Sequence, residues 1–142
     1  MGTYRFLEDV AIADAAFQAE AESLNELFQL CAQATFEVMA DTARIEPLHR
    51  EEVELASPSL EELLFDWLAE LIYVKDAKSM LFGRFEVNVQ EKDGYRLVAS
   101  AWGEPADQKK HKVRVDVKAV TYHLLEVKKT EGKWTAKVVL DT

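Results

Sequence analysis

The sequence predicts an α+β fold. Residues 1–142 read as a single-domain sandwich: a mixed, largely antiparallel sheet with two amphipathic helices packed on one face. Three observations predict it. Two segments, opening at Ser23 and Ser59, carry apolar residues at helical spacing. From Leu81 onward the apolar period is two. The late alternating stretches are joined by short turns, which pair neighbouring strands antiparallel and leave the helices to cover one face.

Each element follows from its own pattern. Tyr4–Glu8 reads as a short strand, and Ala13–Ala21, with Phe17 and Ala19 set against Gln18 and Glu20, as a second. Ser23 caps a helix with Glu26 three residues on, a capping box, and Leu24, Leu27, Phe28, Cys31, Thr35 and Val38 continue it to about Asp41. Val53 and Leu55 between glutamates place a strand within Glu46–Ser57. Ser59 and Glu62 form a second capping box, and the stripe from Leu60 through Ile72 makes a well-buried helix to about Val74. Phe85, Val87 and Val89 alternate with polar residues, Lys92-Asp93-Gly94 turns the chain, and Tyr95, Leu97, Ala99 and Ala101 return. Gly103–Lys112 reads as a polar loop. Val113, Val115 and Val117 start another strand, Val120–Val127 continues it or forms the next, and Tyr122 is expected to be buried. Glu131-Gly132 turns into a last strand with Trp134, Ala136, Val138 and Leu140 on one face.

Composition narrows the function. Hydrophobic residues make up 49% of the chain and charged residues 30%, an ordinary globular balance. The formal charge of −9 disfavours sequence-independent nucleic-acid binding, which needs Lys and Arg to neutralise phosphates. A basic protein partner or a cation is expected instead, although Lys109, Lys110, His111, Lys112 and Arg114 form a local basic strip. A single cysteine excludes an internal disulfide and fits a reducing compartment. Arg5, Glu8 and Asp9 interrupt any signal-peptide core, and no apolar run approaches the ~18 residues of a membrane span, so a soluble cytoplasmic protein is expected.

The usual catalytic signatures are missing. Cys31 lies in a helical apolar stripe and reads as a buried hydrophobe. Ser23 and Ser59 are caps, and there is no nucleophile elbow and no glycine-rich phosphate loop. His49, His111 and His123 lack the neighbours of a transition-metal site. His123 falls in a predicted strand, where a structural and a functional imidazole are equally admissible. The acids are more informative. Asp14 sits among alanines in an apolar strand, where an unpaired carboxylate is costly. Asp141 ends the last strand beside the terminal carboxylate of Thr142. Were their strands neighbours, these groups would converge on one hard cation, calcium or magnesium. Periodicity leaves this open against ordinary solvated acids.

Taken together, several pieces resemble the archease family over nearly the whole chain. They are Tyr4-Arg5-Phe6-Leu7-Glu8, Ala13-Asp14-Ala15-Ala16-Phe17, Phe36-Glu37-Val38-Met39, Leu63-Leu64-Phe65-Asp66-Trp67-Leu68, Gly103-Glu104-Pro105, Lys118-Ala119-Val120-Thr121-Tyr122-His123 and the closing Asp141. The resemblance implies a non-enzymatic cofactor of an RtcB-type RNA ligase that promotes ligase guanylylation and multiple turnover in tRNA splicing and RNA repair. It further implies a divalent-cation site, often calcium, at Asp14, Asp141 and Thr142. His111, Lys118, Thr121 and His123 are expected on the surface offered to the ligase. The sequence departs from the family's His-Thr-Ala-Asp pattern, because Ala11 and Ile12 stand where the histidine and threonine would be. Two rivals remain, a general chaperone or interaction module and a metal-dependent hydrolase.

Overall fold

A computed structural model describes residues 2–8 and 14–142. In chain order it contains β1 (Thr3–Leu7), β2 (Asp14–Ala21), α1 (Leu24–Met39), a 3-10 turn (Thr42–Arg44), β3 (His49–Ser57), α2 (Leu60–Lys78), β4 (Met80–Glu91), β5 (Tyr95–Pro105), α3 (Gln108–His111), β6 (Ala119–Val120), β7 (Glu126–Thr130) and β8 (Lys133–Asp141). Both long helices begin where the capping serines place them: Ser23 Oγ accepts from the Glu26 N–H and Ser59 Oγ from the Glu62 N–H, each at 3.2 Å. α2 runs one turn past the expected end at Val74. It stops at Ser79, which adopts a left-handed conformation with φ 51°.

The fold is α+β and its ladders are antiparallel, but the strands divide into two sheets rather than forming one mixed sheet. One has the order β1-β2-β8-β6, with β7 also paired to β8; the other has the order β3-β5-β4. Helix side chains occupy strand edges that another strand would otherwise take. Gln29 Nε2 of α1 donates to the Phe85 carbonyl at 2.8 Å, and the Val89 N–H donates to Asn25 Oδ1 at 2.7 Å, both on β4. Glu61 of α2 accepts from the Val127 N–H of β7 at 3.2 Å. A strand edge satisfied this way no longer invites pairing. Both helices consequently touch both sheets instead of lying on one face of a single sheet.

One apolar cluster joins the layers. At its centre Trp67 is fully buried, donates Nε1–H to the Phe28 carbonyl at 3.1 Å and meets the Phe85 ring edge-on. The β4–β5 ladder shifts register between Phe82 and Arg84. Opposite that shift only glycine fits: a Cβ on Gly103 would stand 1.9 Å from the Leu81 carbonyl oxygen.

The largest departures from expectation lie between residues 103 and 127. β5 runs on to Pro105, and α3 replaces part of the expected loop. Val113–Val117 is not a strand. Among the described residues it has no pairing neighbour, and Arg114 N–H instead donates to the Met39 carbonyl at 2.8 Å. The expected strand from Val120 to Val127 is broken. Only Ala119 and Val120 pair with β8, a turn follows, and β7 begins at Glu126. His123 therefore lies in a turn, and Tyr122 is exposed rather than buried. Among the described residues no helix is long and apolar enough to cross a membrane.

Candidate functional site

Sheet register builds the site. Because β2 and β8 run antiparallel, the first residue of one faces the last of the other, and Asp14 is the direct partner of Asp141. The next pairs alternate between the two sides of the sheet. Ala15–Leu140 and Phe17–Val138 fall on the side where Phe17, Val138 and Leu140 join the core; Asp14–Asp141 and Gln18–Lys137 fall on the other. On the far side of β8, Ala119 is the partner of Asp141. Asp14, Asp141 and Ala119 thus form one cross-strand row, and the third position carries only a methyl group.

β6 holds the end of β8 in place. The Lys118 N–H donates to the Asp141 carbonyl at 2.8 Å. The Thr121 N–H and hydroxyl both donate to the Val139 carbonyl, at 3.1 and 2.9 Å. Thr121 is half-buried and engaged in this clamp, while the Lys118 and His123 side chains are exposed. Thr142 follows Asp141 and is half-buried. The structure therefore brings Lys118 and Thr121 to the Asp14–Asp141 corner through their backbone and hydroxyl bonds.

His111 is a different case. It was expected on the surface of a polar loop, but its ring is fully buried. Its Nδ1 accepts from the Asp107 N–H at 3.0 Å, which leaves Nε2 as the protonated nitrogen facing Glu104 Oε2 at 2.9 Å. Glu104 is buried too, and it accepts from the Glu46 N–H at 2.8 Å and from Lys110 Nζ at 2.8 Å. The Glu46 N–H above all, then the Lys110 ammonium and the His111 ring, outweigh burial and hold the Glu104 carboxyl down at about 2. This network ties α3 to the end of β5, so His111 is a structural residue. Periodicity gave no sign of it, because the Glu104 partners come from two separate segments, the chain ahead of β3 and α3. The network also consumes much of the basic strip: Lys110 pairs with Glu104 and Glu46, and Arg114 with Glu37.

The donor set at the corner suits a hard cation. Opposed positions in an antiparallel pair put Cβ atoms ~4.5–5.5 Å apart, within reach of one ion by both carboxylates, and like charges so placed repel without one. Among the described residues no three His, Cys, Asp or Glu side chains gather into a ligand set. Two side-chain carboxylates are thus what the described residues offer at this corner, and further oxygens would come from Thr142 and water. Ala119 was overlooked by the sequence reading, since only the register reveals that its small side chain leaves the row open. The departure from the family pattern at Ala11 and Ile12, with Asp9 beside it, lies outside the described residues. Cys31 is buried, and burial pushes its thiol far up, which makes it inert as a nucleophile.

Comparison with known proteins agrees with this architecture. The sequence model of the archease protein family matches residues 4–142. A protein archease from Methanothermobacter thermautotrophicus is 42% identical over 130 residues, covering 91% of this chain and 92% of the relative. Another from Methanosarcina mazei is 41% identical over 140 residues, covering 97% and 94%. The solution structure of a Methanobacterium thermoautotrophicum protein superimposes with a TM-score of 0.86 at 39% identity, covering 98% of both chains. The crystal structure of an archease from Thermotoga maritima, described as a possible chaperone, gives 0.64 at 20% identity, a likeness of fold.

Proposed function

Because the chain belongs to the archease family, we propose that it is a non-enzymatic activator of an RtcB-type RNA ligase in tRNA splicing and RNA repair. In this reading it promotes guanylylation of the ligase and sustains multiple turnover from a divalent-cation site at Asp14, Asp141 and Thr142. The observation that carries the reading is the register that sets Asp14 opposite Asp141.

Each residue at the corner has a physical task. Asp14 and Asp141 supply two anionic oxygen donors from adjacent strands, whose ladder fixes their separation. The Lys118 N–H and Thr121 clamp the backbone of β8 so that Asp141 cannot fray away from Asp14. Ala119 keeps the row open towards a partner. A calcium or magnesium ion bound there supplies positive charge against the phosphates of a nucleotide. Preorganised charge of this kind lowers a barrier without reorganisation at the moment of reaction. The partner is a protein. The acidic chain and the partly paired basic strip favour no direct contact with RNA, and a cytoplasmic setting fits the single unpaired cysteine.

The test is multiple-turnover ligation and guanylylation by the ligase of the same organism, with and without the protein and its Asp14→Asn and Asp141→Asn variants. Wild type is expected to accelerate both reactions and the variants to lose most of the effect. Variants that stimulate as well as wild type would remove the cation-centred mechanism. A general chaperone is the second reading, favoured by the exposed aromatic side chains of Tyr73 and Tyr122. A chaperone would suppress aggregation of unrelated clients, which a dedicated activator would not.

A further inference from the structure

The sequence encodes a strand that the fold does not use. Val113-Arg114-Val115-Asp116-Val117 alternates β-branched and charged residues, yet it runs as an irregular segment between α3 and β6. Among the described residues, no hydrogen bond engages the backbone of Val115, Asp116 or Val117. Val113 and Val115 are exposed. A β-prone segment with open backbone groups and outward valines is a strand lacking its neighbour.

That neighbour's place is a groove along α2. Two hollows, of about 260 and 310 Å³, follow one another and share Asp76. The first is walled by Val113 and Val115 against Met39 and Met80. The second is walled by Phe65 and Tyr73 against Lys118 and Ala119, so it ends at the partner position of Asp141. Tyr73 is 66% exposed, and Tyr122 stacks on Phe65 with centroids 3.9 Å apart. From Phe65 to Ser79 the helix advances roughly 21 Å at ~1.5 Å per residue. That length seats about six residues of an extended chain at ~3.3 Å each. Charge sets the sign of the guest. Lys75 is buried, 6% exposed, and binds Asp76 Oδ1 and Asp116 Oδ1, each at 2.6 Å. Both aspartates remain more than half exposed, so these three groups give the first hollow a net negative rim, whereas the exposed Lys118 puts a positive charge on the second.

We propose that this groove is a strand-addition site: an extended partner segment, apolar on alternate residues and carrying a basic residue for the rim of the first hollow, pairs with Val115–Val117 and lies against α2. It rests on the reading above in that the segment belongs to the activated ligase. Strand addition draws affinity from main-chain hydrogen bonds and specificity from pockets for alternate side chains. Here both elements adjoin the Asp14–Asp141 corner, so docking would bring that corner to the partner.

The experiment measures ligase binding by biolayer interferometry for wild type, Val115→Pro and Tyr73→Glu, with hydrogen exchange on the free and ligase-bound protein. Val115→Pro removes an N–H that the free protein leaves unbonded, and Tyr73→Glu changes an exposed residue on the opposite wall. A circular-dichroism melt confirms the fold of each. Both variants are expected to bind at least tenfold more weakly, with cation affinity unchanged, and the Val115 and Val117 amides to exchange at least tenfold more slowly in the complex. If wild type binds the ligase while both variants bind within twofold of it and the amides stay unprotected, the groove proposal is overturned and the activator reading stands. If wild type does not bind the ligase at all, both fall.

Discussion

Replacing Asp14 by Asn tests the corner without any activity assay, because the sign of its effect on stability should invert with the cation. Asp14 and Asp141 are direct cross-strand partners, Asp14 half-buried and Asp141 exposed. At about 5 Å in a largely aqueous environment two like charges repel by ~0.8 kcal/mol, in line with the measured range for opposed pairs. In chelator, Asp14→Asn removes that repulsion at constant shape and should stabilise the protein by ~0.8 kcal/mol, a rise in Tm of about 2–3 °C for a chain of this length. With calcium, magnesium or manganese at about 100 times Kd, wild type gains ~2.7 kcal/mol from binding. The variant forgoes most of that gain and becomes less stable than wild type by roughly 2 kcal/mol, the difference of those two terms. Denaturant titrations of both proteins, in chelator and across a cation series, read the inversion directly. A variant shifted by the same sign and size under both conditions would show that the two carboxylates do not share an ion, and the reasoning from register would fail.

Three further outcomes are expected. Ala119→Asp places a third carboxylate in the Asp14–Asp141 row; calorimetric titration should show tighter cation binding, and melts in chelator a lower Tm. Glu104→Gln weakens three charge-assisted bonds and should cost about 2 kcal/mol at neutral pH in urea denaturation. Its carboxyl is held below the usual carboxylate range, at about 2, so in wild type that stabilisation is present above pH ~4.5 and lost as pH falls towards ~2; the variant's stability should be flatter across that window. Trp67→Phe removes the Nε1–H bond to the Phe28 carbonyl and part of a fully buried ring, and should cost roughly 2 kcal/mol by chemical denaturation without altering cation binding.

Features that depend on near neighbours along the chain were legible in the residues alone. Ser23 and Ser59 announced both helix starts because capping acts over three residues. Asp93 and Gly94, and Glu131 and Gly132, all at positive φ, marked the two hairpin turns because the chain can reverse there only in that conformation. The family was legible too, since it rests on residues in order. Tertiary structure decided whatever depends on who lies beside whom. Asn25 and Gln29 closing the β4 edge split the strands into two sheets, which no alternation pattern records. Val113–Val117 had the composition of a strand and, among the described residues, no neighbour to become one. His111, a polar residue in a polar stretch, was drawn into a buried network by Glu104 and the Asp107 N–H. Asp14 and Asp141, 127 positions apart, became a pair only through the β2–β8 register. Local preference is written in consecutive residues, whereas charge proximity, burial and strand pairing arise only when distant segments share space, and the candidate site is made of these.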